Sequence, residues 1–279
     1  MTANRLALGS AQLGMHYGIA NQHGIPSDSE LDGILTLART TGINTIDTAA
    51  AYGNSEQRLG KAGISGFKTV SKFPVGGNPL ESIDESLQQL RIDRLYGFMA
   101  HNADDLFRNK AVWNSLRTAE QEGKTERIGF SLYTPQQLEE CLAAGFVPGL
   151  VQFPYSLLDR RFEPYFDELK KIGCEIHTRS AFLQGLYFLE NIPEQLKELT
   201  PALDKLHELK NQNSLTMEEL ALAFVLGDSR IDRIVIGVES TQQLQANIDA
   251  AEKKLTDELR NAILNIDVAN KQLLNPSKW

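Results

Sequence analysis

Few of the features that mark specialised protein classes occur in this sequence. Only two of its 279 residues are cysteines, Cys141 and Cys174, which excludes a disulfide framework and a paired CxxC motif. No apolar run approaches the roughly 20 residues that span a bilayer, and the first residues lack the layout of a signal peptide. The chain is therefore expected to stay in the cytoplasm, without membrane contact.

The charge balance and the missing motifs exclude further classes. A net charge of -8, with 28 basic residues spread along the chain, argues against a nucleic-acid partner. The patterns GxGxxG, GxxxxGK[ST] and HExxH are absent, so no Rossmann fingerprint, no P-loop and no metal site are expected. Any dinucleotide cofactor would have to bind by another route.

Short β-rich segments alternate with amphipathic segments along the whole chain. The predicted strands are 6–9, 44–47, 67–72, 95–101, 127–131, 149–153, 174–179 and 233–237. The predicted helices are 28–41, 55–62, 79–90, 111–122, 135–144, 163–171, 216–226 and 242–251. Because each crossover helix returns the chain to the same sheet edge, this alternation predicts an α/β fold of parallel strands, closed by eight units into a (β/α)8 TIM barrel.

The length of 279 residues suits one such barrel as well as two smaller domains. No Pro/Gly/Ser-rich linker divides the chain, and its one long connection, 185–214, contains a helical segment of its own at 193–209. We therefore expect residues 1–279 to form a single domain, with a C-terminal tail after the eighth unit.

Three successive predicted strands end in ionisable side chains. Asp47 ends the second strand and Tyr52 follows it by five residues, while Lys72 ends the third strand and His101 the fourth. The carboxyl ends of barrel strands share one face, where the active sites of such barrels form. These four side chains are expected to meet at the barrel mouth.

Each of these residues also has an ordinary structural explanation. An aspartate at a strand end often caps the next helix, and a lone tyrosine or histidine carries little information. A buried lysine is harder to explain without a partner, because charged groups are rarely buried unpaired. The joint placement favours catalysis over four unrelated structural roles.

The four side chains suit the reduction of a carbonyl by hydride transfer. The alkoxide formed in that reaction needs a proton donor within hydrogen-bond reach, and Tyr52 could supply the proton. A nearby Lys72 ammonium would lower the phenol pKa from its ordinary value of about 10, and Asp47 would keep that lysine charged. His101 would orient the substrate carbonyl.

This set and its flanks resemble the catalytic tetrad of the aldo-keto reductases. The segments 42–60, 129–131 and 151–160 are similar to the second, fifth and sixth strand regions of that family, and the resemblance covers nearly the whole chain. It implies a nicotinamide-dependent oxidoreductase that reduces an aldehyde or a ketone by direct hydride transfer, with Tyr52 as the proton donor.

The resemblance also implies how the cofactor is held. It assigns Ser131 and Gln152 to the carboxamide of the nicotinamide, and it places Arg179 where relatives stack an aromatic side chain on the nicotinamide ring. The remaining cofactor residues that it implies are Ser180, Gln184 and Gly185 at the pyrophosphate, and Gly237, Glu239, Gln243 and Asn247 at the adenosine.

NADP(H) is the family default, but two residues weaken that expectation. Relatives that prefer NADPH carry Lys or Arg to meet the 2′-phosphate, whereas this chain has Glu239 and Gln243. A carboxylate repels a phosphate and can accept hydrogen bonds from a ribose 2′-hydroxyl, so NAD(H) is an open alternative. The other alternative is that Glu239 is solvated and faces away from the cofactor, so that it has no effect on the cofactor choice.

The substrate is weakly encoded. The loops after the third, fourth and sixth strands are polar or mixed, which suits the carbonyl of a sugar or another polyol. The alternative function is a cofactor-sensing regulatory subunit, as in relatives that attach to a membrane channel. The complete tetrad and the lack of a long N-terminal extension favour the enzyme, expected as a monomer or a small homo-oligomer.

Overall fold

The computed structural model describes residues 2–21, 24–276 and 279, and its centre is a closed barrel of eight parallel strands in chain order. The strands are β1 Leu6–Gly9, β2 Thr45–Asp47, β3 Lys68–Phe73, β4 Leu95–Ala100, β5 Thr125–Ser131, β6 Leu150–Pro154, β7 Glu175–Arg179 and β8 Arg233–Gly237. Pairing of Leu6 with Ile234 and of Leu8 with Ile236 closes the ring between β1 and β8. The predicted (β/α)8 barrel is confirmed, while its description as a single domain stays a prediction.

Helices surround the barrel. The α-helices are α1 Ala11–Gly14, α2 Asp28–Thr41, α3 Ser55–Ala62, α4 Pro79–Leu90, α5 Asp104–Arg108, α6 Ala111–Gln121, α7 Pro135–Ala143, α8 Phe166–Lys171, α9 Thr200–Gln212, α10 Met217–Leu226, α11 Thr241–Ala250 and α12 Asp257–Leu264. Short 3-10 helices cover Thr2–Arg5, Glu163–Tyr165, Leu183–Phe188, Glu194–Leu199 and Lys271–Leu274.

Side-chain caps explain where several of the helices begin. The Ser27 hydroxyl accepts the Glu30 amide at the start of α2, and Ser240 accepts the Gln243 amide at the start of α11. Thr134 and Thr216 begin α7 and α10 with reciprocal capping boxes. Each cap satisfies an amide that lacks a partner within its own helix, so these starts follow from local sequence.

The structure differs from the sequence prediction mainly in short or late elements. The predicted helix 163–171 is a 3-10 turn followed by α8, and the segment 193–209 is a 3-10 turn followed by α9. The predicted tail contains α12, whose buried Leu259 and Ile263 are four residues apart. The helices α1 and α5 have four and five residues, too few for a hydrophobic period to be visible.

The apolar core has two parts. A large cluster lies between the strands and the surrounding helices, and Val70, Tyr96, Met99 and Leu150 form a smaller cluster inside the barrel. Trp279 is half-buried against the large cluster and donates from its indole nitrogen to the Leu273 carbonyl oxygen. In the described part of the chain, no helix has both the length and the apolar character needed to cross a membrane.

Candidate active site

Alternation along the strands aims three polar side chains at the inside of the barrel. On β3, Val70 belongs to the inner cluster and Lys72 follows it by two residues, so both side chains face inward. On β6, Gln152 follows the inner Leu150 by two residues, so its side chain also faces inward. On β2, Ile46 belongs to the outer cluster, so the next residue, Asp47, faces inward. A shift by one residue would move each of these groups into the outer core.

Asp47 and Lys72 form a buried ion pair at the mouth. The Lys72 Nζ donates to Asp47 Oδ1 at 2.7 Å and to the Thr48 carbonyl oxygen at 2.9 Å. Gln152 Nε2 donates to the other carboxylate oxygen of Asp47 at 2.7 Å. Burial lowers the pKa of Lys72, and the charge of Asp47 opposes that shift. The pair therefore brings little net charge to the mouth.

Tyr52 lies on a tight loop that packs against α1. Its carbonyl oxygen would be 2.1 Å from a Cβ at Gly14, and a Cβ at Gly53, where φ is +59°, would be 2.3 Å from the Gly14 carbonyl oxygen. Only glycine at both positions lets the two backbones approach so closely. This approach fixes the loop and places the Tyr52 ring centroid 5.3 Å from the Lys72 Nζ.

The pKa of Tyr52 moves opposite to the sequence-based expectation. Burial raises that pKa well above 10, and the Asp47 charge raises it further. The expected lowering by Lys72 does not dominate, because Asp47 neutralises the lysine charge at 2.7 Å. The cation that does favour the phenolate is Arg179.

His101 completes the group around Tyr52. Its ring meets the Tyr52 ring edge to face, with 5.5 Å between the centroids. Burial lowers the pKa of His101 to about 4, and the Lys72 charge contributes to the shift. The imidazole is therefore neutral near pH 7 and can either donate or accept one hydrogen bond.

A cavity of about 450 Å³ opens beside Asp47 and Tyr52. It passes Gln152, follows the loop after β7 and ends at α11. The residues expected at the cofactor that line it are Gln152, Arg179, Ser180, Gln184, Gly185, Gly237, Glu239, Gln243 and Asn247. Lys72, His101 and Ser131 do not line it, although Ser131 pairs in register with Gln152.

The loop after β7 has the backbone conformation of an anion cradle. Ser180, Leu183, Gln184 and Gly185 have φ values of +63°, +47°, +53° and +93°. Turns that contain left-handed residues point backbone amides into a shared concavity, which suits a phosphate. Across the groove, a Cβ at Gly237 would lie 2.2 Å from the end of the Gln12 side chain, so a larger residue there would require Gln12 to move. The donor set and the groove fit a nicotinamide dinucleotide.

Two acidic residues lie near the start of α11, and one of them lines the far end of the groove. Glu239 lines it, and the Glu239 amide donates to Gln243 Oε1 at 2.8 Å. Glu30, on α2, accepts hydrogen bonds from the Thr241 amide at 2.5 Å and from the Thr241 hydroxyl at 2.6 Å. These bonds lower the pKa of Glu30, so an ionised carboxylate caps the N-terminus of α11.

Two residues of this region were missed in the sequence. Tyr17 lines the cavity, and Gln184 Nε2 donates to its hydroxyl at 2.9 Å. Glu30 reaches α11 across 211 positions of the chain. Tyr17 lies in a loop without hydrophobic periodicity, and Glu30 has the position of an ordinary acidic residue in the first turn of a helix. The neighbouring sequence therefore did not indicate that either residue lies at the site.

Comparisons with known proteins agree with this geometry. A model of the Aldo/keto reductase family matches residues 5–267. The chain is similar to the L-glyceraldehyde 3-phosphate reductase of Escherichia coli (strain K12), with 28% identity over 84% of this chain and 74% of that protein. It is also similar to the NADH-specific methylglyoxal reductase of the same strain, with 29% identity over 92% of each chain.

A solved structure has the same fold. The holo form of an aldo-keto reductase from Bacillus halodurans superposes with a TM-score of 0.74, at 24% sequence identity, and the match covers 95% of this chain and 93% of that one. At this level of identity the likeness concerns the barrel itself.

Proposed function

The chain belongs to the aldo/keto reductase family and is an oxidoreductase, and we propose that it reduces an aldehyde or a ketone with Tyr52 as the proton donor. The position of the Tyr52 side chain carries this proposal. It borders the cavity beside the Lys72–Asp47 pair, and its hydroxyl makes no hydrogen bond to any described residue. A phenol whose pKa is raised keeps its proton at neutral pH and can donate it.

Each mouth residue has a defined part in the proposed reaction. A bound nicotinamide would supply the hydride that reaches the carbonyl carbon. Tyr52 donates its proton to the carbonyl oxygen, the neutral His101 holds that oxygen in place, and Tyr52 later regains a proton from water. Arg179 stabilises the phenolate that Tyr52 becomes between these steps.

The groove provides partners for each part of the cofactor. Gln152 uses its Nε2 on Asp47, which leaves its Oε1 to accept from the carboxamide, together with Ser131. Ser180, Gln184 and Gly185 would hold the pyrophosphate, and Asn247 the adenine.

We infer a preference for NADH. Glu239 brings a carboxylate to the end of the groove where a 2′-phosphate would be bound, and Gln243 already accepts a bond from the loop. A phosphate there would meet a like charge, whereas a ribose 2′-hydroxyl would find an acceptor. The similarity to a reductase named as NADH-specific supports the same choice.

A spectrophotometric scan tests the proposed function. Aldehydes, ketones and sugars would be supplied with NADH or NADPH, and consumption of the cofactor would be followed. We expect turnover of at least one carbonyl class, faster with NADH. Tight cofactor binding without turnover of any carbonyl would contradict the proposal and favour the cofactor-sensing role. The predicted cytoplasmic location and the monomer or small homo-oligomer stay predictions.

Fluorescence titration tests the cofactor preference. Glu239→Arg replaces a repulsion by a charge-assisted hydrogen bond of about 1.5–3 kcal/mol, so NADPH affinity should rise roughly tenfold to hundredfold. NADH affinity should change much less. Glu120→Arg, on α6 and outside the cavity, makes the same charge change as a control. Nanomolar NADPH binding by the unmodified protein, unaffected at Glu239, would refute the inference.

A further inference from the structure

One cationic side chain at the mouth forms no salt bridge with a described residue. Lys72 is paired with Asp47, Arg161 donates to Asp159 at 2.7 Å, and His101 is neutral. Arg179 remains. Among the described residues that line the cavity, the other acidic side chains are Glu218 and Glu239, which lie toward α10 and α11 at the opposite end. The reacting end of the cavity therefore carries a net positive charge.

The Arg179 side chain is held in place before any ligand arrives. Its Nη2 donates to the Leu132 carbonyl oxygen at 3.2 Å, and its guanidinium carbon lies 4.7 Å from the centroid of the Tyr133 ring. Arg161 donates to the Tyr133 carbonyl oxygen at 3.3 Å, which anchors the same loop from the other side. A guanidinium has five N–H donors, and only one of them is used by a described residue, so the rest can meet a ligand.

The charge of Arg179 acts on Tyr52 and His101, the two groups proposed to contact the substrate carbonyl. It lowers the pKa of Tyr52, and it adds to the lowering of the pKa of His101. Arg179 and Tyr52 also line the same cavity. A substrate whose carbonyl lies between Tyr52 and His101 would therefore place a neighbouring substituent near the guanidinium.

We propose that Arg179 is the specificity-determining residue that binds an anionic group of the substrate, a carboxylate or a phosphate, close to the carbonyl that is reduced. This proposal rests on the proposed function and narrows its substrate class from aldehydes and ketones in general to those that carry an acidic group. A planar guanidinium can bind either anion with two parallel hydrogen bonds, which also fixes the orientation of the substrate.

Pairs of substrates that differ mainly in one anionic group measure how that group affects turnover. Succinic semialdehyde would be compared with butanal, and glyceraldehyde 3-phosphate with glyceraldehyde, each with saturating NADH. We expect kcat/KM to be at least about tenfold higher for the acidic member of one pair, because a charge-assisted hydrogen bond contributes that much. The pair that shows the larger ratio identifies the anion.

Substitution of Arg179 tests whether this residue causes the higher kcat/KM of the acidic substrates. Arg179→Met should lower the acidic-to-neutral ratio of kcat/KM by about 10- to 100-fold, mainly through KM, and Arg179→Lys should keep part of it because the charge remains. Arg127→Met, at the opposite end of the barrel, should leave the ratio unchanged. An equal loss for both members of each pair, or a tenfold loss of NADH affinity with an unchanged ratio, would refute the proposal.

A binding measurement keeps this test independent of turnover. The NADH complex would be titrated with succinate and with inorganic phosphate, and the NADH fluorescence would be followed. Saturable binding of one anion that is lost in Arg179→Met supports the anion site even if no carbonyl is reduced. Turnover of neutral carbonyls without any anion preference or anion binding would sustain the proposed function and overturn this inference.

Discussion

The two ends of the barrel carry nearly the same side chains in different settings. The mouth has Asp47, Tyr52, Lys72 and His101, and the opposite end has Lys68, Tyr96, Glu175 and His177. Both ends thus combine a tyrosine, a lysine, an acid and a histidine. Residue types alone do not distinguish a reactive end from a structural one.

The tyrosine hydroxyls show the difference. The Tyr96 hydroxyl donates to Glu175 Oε1 at 2.5 Å and accepts from Arg127 Nε at 3.2 Å, and the Lys68 Nζ lies 4.4 Å from its ring centroid. Tyr52 makes no such bond to a described residue and borders the cavity, which Tyr96 does not. A hydroxyl that both donates and accepts a hydrogen bond within the protein stabilises the fold, whereas a hydroxyl left open to a cavity can act on a substrate.

The largest expected effect comes from breaking the ion pair at the mouth. Lys72→Met should abolish activity and lower the free energy of unfolding by about 3–5 kcal/mol, because Asp47 is left buried without its partner. Denaturant unfolding and turnover would be measured together. The double variant Asp47→Asn with Lys72→Met should recover much of the stability and no activity. Preserved turnover in the single variant would contradict this account of the mouth.

The next effect separates the two tyrosines. Tyr52→Phe should reduce turnover by about 10²-fold or more with nearly unchanged cofactor binding and stability, since the lost hydroxyl is the proton donor. Tyr96→Phe is the matched control and should keep its turnover. Near-normal turnover of the Tyr52 variant would show that Tyr52 is not the proton donor.

A pH effect is expected from the opposite end. The neighbouring His177, whose Nε2 lies 3.4 Å from Glu175 Oε2, lowers the pKa of Glu175 to about 2, together with the hydrogen bond from Tyr96 and the charge of Arg127, against the opposing effect of burial. Its ionised form thus adds stability that is full above the ordinary pKa near 4.5 and is lost as pH falls toward 2. The shift corresponds to about 3 kcal/mol. Glu175→Gln should remove this contribution to the pH dependence of unfolding, and an identical pH profile would speak against it.

The smallest effect should come from the control tyrosine. Tyr96→Phe leaves Glu175 and Arg127 without the shared hydroxyl, which should lower the free energy of unfolding by about 1 kcal/mol. Denaturant unfolding at pH 7 would measure it. A gain in stability would show that the Tyr96 hydroxyl does not stabilise the folded protein.

Much of the fold was readable in the sequence because it is encoded locally. The alternation of β-rich and amphipathic segments gave all eight strands, and caps such as Ser27 and Thr216 marked where helices begin. Strand polarity then fixed which end would collect Asp47, Lys72 and His101. These conclusions need only short-range periodicity and the rule that parallel strands share one carboxyl end.

Other features were decided only by tertiary structure. The bond from Gln152 to Asp47 spans 105 positions of the chain and the bond from Thr241 to Glu30 spans 211, so no local pattern contains them. The raised pKa of Tyr52 depends on desolvation and on the pairing of Lys72 with Asp47, which exist only after folding. The sequence named the groups at the mouth, but packing determined which charges cancel and left Arg179 facing the cavity, because electrostatic balance depends on distances that only the folded chain defines.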